Sequence, residues 1–180
     1  MSSAFKVRIL QHGWHAGRTD LCSHGRIHLE IGGQVITSGD QEYGVSESAL
    51  ALLRTLRSGH SSAQPVAERL IPHGCGMMLL QGCGLGIDWS VRHDGDIVVL
   101  GDVVRFDGAG STQVVPFPGL EARLNRSEYV REVVHFALEA RRLFEAEPKE
   151  STREDIPGDF AAFWKEYDEI LVSADASTSV

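Results

Sequence analysis

Residues 76–106, GMMLLQGCGLGIDWSVRHDGDIVVLGDVVRF, decide the fold. Leu85, Ile87, Trp89 and Val91 alternate with Gly86, Asp88, Ser90 and Arg92, the period of two that gives a strand one apolar and one polar face. Asp94 and Gly95 then offer the two positive-φ residues of a type I′ turn, and IVVL follows as a second, β-branched strand. A loop of those two residues sets Trp89 opposite Leu100, Val91 opposite Val98 and His93 opposite Asp96, so the apolar faces coincide. The stretch reads as the central hairpin of an antiparallel sheet.

On its N-terminal side, Phe5, Val7 and Ile9 make a short first strand near a sheet edge, and the aperiodic segment 11–25 reads as a loop. Ile27, Leu29 and Ile31 form a second strand, Gly32 and Gly33 a tight turn, and QVITS a third strand, completing a meander. Ser46 is placed to cap a helix carrying Ala49, Leu52, Leu53 and Leu56 on one stripe, with Gly59 just past its end. PVAERL, residues 65–70, has the composition of one or two helical turns. On the C-terminal side, Pro116 and Pro118 restrict VVPFPGL to an edge strand or surface segment.

Asn125 with Glu128 then suggests a capping box before a helix whose stripe is Val130, Val133, Val134, Ala137 and Leu138. Asp159 suggests the cap of a last helix, in which Phe160, Phe163, Trp164, Tyr167, Ile170 and Leu171 share one face; that face is most simply core packing. The expectation is an α+β chain with a single domain over residues 1–172 and a disordered tail at 173–180. An antiparallel sheet of about five to seven strands would be covered by the Ser46 helix and two C-terminal helices.

With 180 residues and 42% hydrophobic composition, the chain can bury one sizeable core. No run approaches the roughly twenty apolar residues of a membrane span, and MSSAFKVRILQHG lacks the apolar segment of a signal peptide. Three cysteines at no disulfide-framework spacing fit a reducing compartment. The expected location is the cytoplasm, with no membrane association. The net charge of -8 is concentrated late: from Glu121 onward there are 14 acidic and 8 basic residues. That balance argues against a nucleic-acid partner, which needs clustered Lys and Arg, and suits a basic protein partner.

Three constellations carry candidate chemistry. His12, His15, Cys22, His24 and His28 place five potential zinc ligands within seventeen positions, although HxxH with CxH is not a familiar ligand spacing. Cys75 and Cys83 are each flanked by glycines that permit close backbone approach, as a thiol nucleophile requires, with His73, His93 or His15 as base and Asp88 or Asp96 as its orienting partner. Asp88, Asp102, Glu30 and Asp40 project as carboxylates, with no spacing that compels paired acid and base roles. The glycines of GCGLG lack the strand, turn and helix setting of a dinucleotide fingerprint.

The expected function is therefore a small acidic protein-binding module of the immunity or antitoxin type, without catalysis, cofactor or metal. Its contact residues would be Glu145, Glu147, Glu150, Glu154 and Asp155. The competing expectation is a thiol- or zinc-dependent hydrolase built on the His12–His28 loop and the Cys75 and Cys83 region with His73.

Overall fold

The computed structural model describes residues 4–13, 21, 23–62, 69–73, 84–107, 113–147 and 157–178. In chain order, β1 (Phe5–Gly13), β2 (His24–Ile31) and β3 (Gln34–Gly44) form the expected antiparallel meander. Gly32 and Gly33 turn it, both at positive φ (60° and 80°), the combination a two-residue type I′ loop demands. Helix α1 (Val45–Arg54) follows, and then the short β4 (Ile71–Pro72). The central hairpin is β5 (Gly86–Asp94) and β6 (Ile97–Asp107), followed by β7 (Gln113–Pro116), β8 (Ala122–Asn125), α2 (Arg126–Glu145) and α3 (Pro157–Thr178). The chain is thus α+β with antiparallel strands, divided into a sheet of three and a sheet of five in which β6 pairs with β5, β7 and β8.

The hairpin register differs from expectation. Asp94 pairs with Ile97, His93 with Val98 and Val91 with Leu100, so the loop is Gly95–Asp96 instead of Asp94–Gly95. Gly95 has φ +59° and Asp96 is not at positive φ, which is the type II′ pattern with glycine first. A partner shift of two residues leaves every inward side chain inward, so alternation alone cannot choose between the two registers.

Helix ends also differ from their sequence signals. Gly44 occupies the N-cap of α1, and Ser46 lies buried inside the first turn, where its Oγ accepts a hydrogen bond from Ser23 N (3.2 Å). The helix stops at Arg54, short of Gly59, because Thr55 and Leu56 donate to Leu52 O and Leu53 O and so tighten the last turn. Asn125 is the N-cap of α2 without a side-chain bond; the exposed first amide, Arg126 N, donates instead to Asp96 O in the hairpin loop (2.7 Å). α3 begins at Pro157, before Asp159, and continues to Thr178, through residues expected to fray. Most of the 65–70 segment lies outside the described residues.

The core sits where the two sheets and α2 meet. The ring of Phe5 lies 6.1 Å from Trp89 and 5.2 Å from Tyr129, and all three side chains are fully buried. Burying each contributes on the order of 1.5–3 kcal/mol. Arg8 on β1 pairs with Glu132 on α2 (2.6 Å), and Tyr129 Oη shares a hydrogen bond with Thr55 Oγ1 at the end of α1 (2.7 Å). The aromatic face of α3 packs on α2 as expected: Trp164 meets Phe144 at 4.3 Å, and Tyr167 donates to Ala137 O. Among the described residues no helix is long and apolar enough to cross a membrane.

Candidate functional site

The polar face of β5 carries Asp88, Ser90 and Arg92, and the two edges of the hairpin treat that face differently. Along the outer edge of β5, β4 pairs only with Ile87 and Gly86, and His60 bridges Val91 through two backbone bonds of 2.9 Å. Between these contacts Asp88 replaces the missing ladder. One of its oxygens accepts from Leu70 N (3.2 Å) and lies 2.8 Å from His60 Nε2. Asp88 is 1% exposed, and its other carboxylate oxygen is buried with no hydrogen-bond partner among the described residues. Arg69 closes the same edge, its guanidinium 3.5 Å from the centre of the Phe106 ring and donating to Gly84 O. A carboxylate holding an imidazole is two parts of a hydrolytic constellation. Among the described residues no hydroxyl or thiol bonds to the other ring nitrogen of His60.

The edge of β6 is open. β8 pairs with Ile97–Leu100 and β7 with Val104–Asp107, leaving Gly101, Asp102 and Val103 between them. Here β6 bulges, with Asp102 and Val103 set against Trp89 alone, and Asp102 adopts φ +51°. It is the one non-glycine at positive φ among the described residues, and Asp is one of the few side chains that tolerate that region. Ser90 Oγ donates to Asp102 Oδ2 (2.8 Å), which fixes the carboxylate. The chain connecting β7 to β8 is tied down by Phe117 N on Val103 O, and it walls a cleft of about 410 Å³ lined by Ser62, Arg92, Asp102, Phe117, Pro118 and Glu121 among others. Glu121 is flanked by Arg92 (3.5 Å) and Arg123 (3.9 Å); Asp102 is exposed and has no cationic partner among the described residues.

Of the residues expected to carry chemistry, Asp88 and Asp102 lie at these two edges, and the described histidines of the expected constellations lie elsewhere. His73 Nδ1 lies 2.7 Å from Glu42 O, and because a carbonyl only accepts, that nitrogen carries the proton and ties β4 to β3. Cys75 and Cys83 lie outside the described residues. Asp88 orients His60, not His73 or His93; His93 Nε2 donates to Thr55 O (2.8 Å). His12, His24 and His28 lie along the β1 and β2 ladder, opposite Gly25, Gly13 and Arg8, while His15 and Cys22 lie outside the described residues. Among the described residues no three His, Cys, Asp or Glu side chains are grouped to hold an ion.

Of the expected contact acids, Glu145 is paired with Arg141 (3.2 Å), which also holds Asp168 (3.1 Å), and Glu147 is exposed; Glu150, Glu154 and Asp155 lie outside the described residues. Glu166 is bonded to Arg54, whose guanidinium holds that carboxyl below the usual range. Meanwhile the open face of α2 presents Arg131, His135, Leu138 and Arg142 at spacings of four, three and four, with Glu128 and Glu145 at its two ends, so this face is of mixed charge. His60 was missed because an isolated bridge leaves no periodic signal. The Asp102 bulge does have one, since Gly101–Asp102 interrupts the β-branched run IVVLGDVV. Comparisons with family models, with curated proteins and with solved structures return no match.

Proposed function

We propose that the chain is a non-enzymatic protein-binding module of the immunity or antitoxin kind, working in the cytoplasm on a basic protein partner. The observation that carries this reading is the use of imidazoles as internal ties. His73 holds β3 to β4, His93 holds the hairpin to the end of α1, and His60 with Asp88 fastens the chain after α1 and the approach to β4 onto β5. Rings committed to carbonyls, as at His73 and His93, position backbone instead of shuttling protons; His60 keeps the carboxylate partner a general base would have, but no hydroxyl or thiol bonds its other nitrogen among the described residues. Among the described residues the hydrolytic alternative has Asp88 and His60 and needs a nucleophile at the far nitrogen of His60; the thiols expected for it, Cys75 and Cys83, lie outside the described residues.

The test joins binding to turnover. Chemical cross-linking of the tagged protein in its own cells is expected to recover a stoichiometric basic partner, in a yield that falls when the lysate is adjusted to high salt. A panel of ester, amide and phosphoester substrates is expected to show no turnover. Hydrolysis that disappears in His60→Ala, or on alkylation of Cys75 or Cys83, overturns the proposal in favour of an enzyme.

A further inference from the structure

We infer that the cleft at the β6 bulge is a receptor for a lysine or arginine side chain of the protein partner, with Asp102 receiving the cationic head. This rests on the protein-binding reading above and gives it a site. The first argument is electrostatic: Asp102 is an exposed carboxylate with no ion-pair partner among the described residues, whereas Glu121 in the same cleft lies between Arg92 and Arg123 and so occupies the cleft's own cation. The second is orientation. Ser90, 6% exposed, donates to one oxygen of Asp102 and leaves the other to accept a charge-assisted bond, so little side-chain freedom is lost on binding.

The third argument is shape. At about 410 Å³ the cleft is at the low end of the roughly 300–1,000 Å³ of ligand sites, and Phe117 and Pro118 give it apolar walls against which an aliphatic stem lies while its charged head reaches the carboxylate. The backbone adds a fourth. Asp102 keeps a left-handed conformation that glycine would adopt without cost, and a side chain held there at a bulge is aimed by the fold. The contact can extend past the cleft, since Val114 on the neighbouring edge strand β7 is 49% exposed.

The experiment is an amide-shift titration of the ¹⁵N-labelled full chain with pentalysine and pentaarginine, using pentaglutamate and blocked norleucine amide as controls. The two basic peptides are expected to shift Gly101–Val104 and Phe117–Glu121 saturably, and high salt to weaken them. Asp102→Asn keeps an acceptor for Ser90 and suits the left-handed backbone, so it folds; it is expected to weaken binding about tenfold, and Glu121→Gln less than twofold. Equal shifts with norleucine amide, cation shifts confined to other surfaces, or full affinity in Asp102→Asn each overturn the site. If the site fails while cross-linking still recovers a basic partner equally well with Asp102→Asn, only the location is wrong. If His60-dependent turnover appears, the binding reading itself is lost.

Discussion

Asp88 and Asp102 approach the same residue, Ser90, from two sides: Asp88 precedes it on β5, and Asp102 faces it from the bulge in β6. Their surroundings are opposite. Asp88 is 1% exposed, bonded to a backbone amide and an imidazole, and backed by the Arg69–Phe106 stack. Asp102 is exposed, has the Ser90 hydroxyl as its side-chain partner among the described residues, and sits where β7 and β8 leave the sheet edge unpaired. Where a ladder is missing and covered over, the carboxylate stands in for backbone; where the ladder is missing and open, the carboxylate is presented to solvent. The fold therefore buries the acid at one edge and leaves the acid at the other exposed, where the proposed receptor role falls to it.

The sharpest way to break this division is to truncate both acids. Asp88→Ala strands Leu70 N and the His60 ring in a buried site, and is expected to lower unfolding free energy by ~3 kcal/mol in urea titration. Asp102→Ala loses one partly exposed bond and keeps an unfavourable backbone, a cost of about 1 kcal/mol. Equal costs at the two positions would remove the distinction.

Alkaline titration sharpens the closed side. Tyr129 binds Thr55 at the turn that leads to His60, and burial pushes its phenol, like that of Tyr167, well above the ordinary value; Tyr43 is pushed up to about 12. These groups keep their protons in the folded chain at pH values where the unfolded chain has released them. Their stabilisation is thus complete below about pH 10 and is lost as pH rises through the folded values. Tyr129→Phe is expected to flatten the fall of stability between about pH 10 and 12 by ~1.4 kcal/mol per pH unit, read from urea midpoints. An unchanged slope would place Tyr129 in contact with water.

Much of this architecture was legible because it follows from periodicity. The alternation of Phe5, Val7 and Ile9, the Gly32–Gly33 turn and the aromatic stripe of α3 are local signals, and each appears where local physics puts it. Long-range exchange of partners was not legible. Ser46 and Asn125 carry the composition of caps, yet Gly44 takes the first position, and Asp96 O, from the hairpin loop, satisfies the amide after Asn125. The site divides in the same way. Asp88 and Asp102 were recognisable as carboxylates on or beside a strand, but pairing Asp88 with His60 depends on a bridge across twenty-eight positions. Charge pairing in the C-terminal third divides likewise: Arg141 with Glu145 is a local i, i+4 pair, whereas Arg54 with Glu166 and Arg141 with Asp168 meet only through the packing of α3.

The smallest expected effect separates the two acids by charge alone. Asp→Asn retains size and one acceptor, so it leaves nearly all packing in place. At Asp102 the amide oxygen still accepts from Ser90, the left-handed backbone suits Asn, and the lost charge faced solvent; the stability change should stay within about 0.5 kcal/mol. At Asp88 the same exchange sets an amide nitrogen or a neutral oxygen against His60 at a buried position, and the cost should exceed 1 kcal/mol. If Asp102→Asn costs as much as Asp88→Asn, the exposed carboxylate is holding the bulge together. The tenfold loss of peptide affinity would then report a distorted cleft instead of a missing charge.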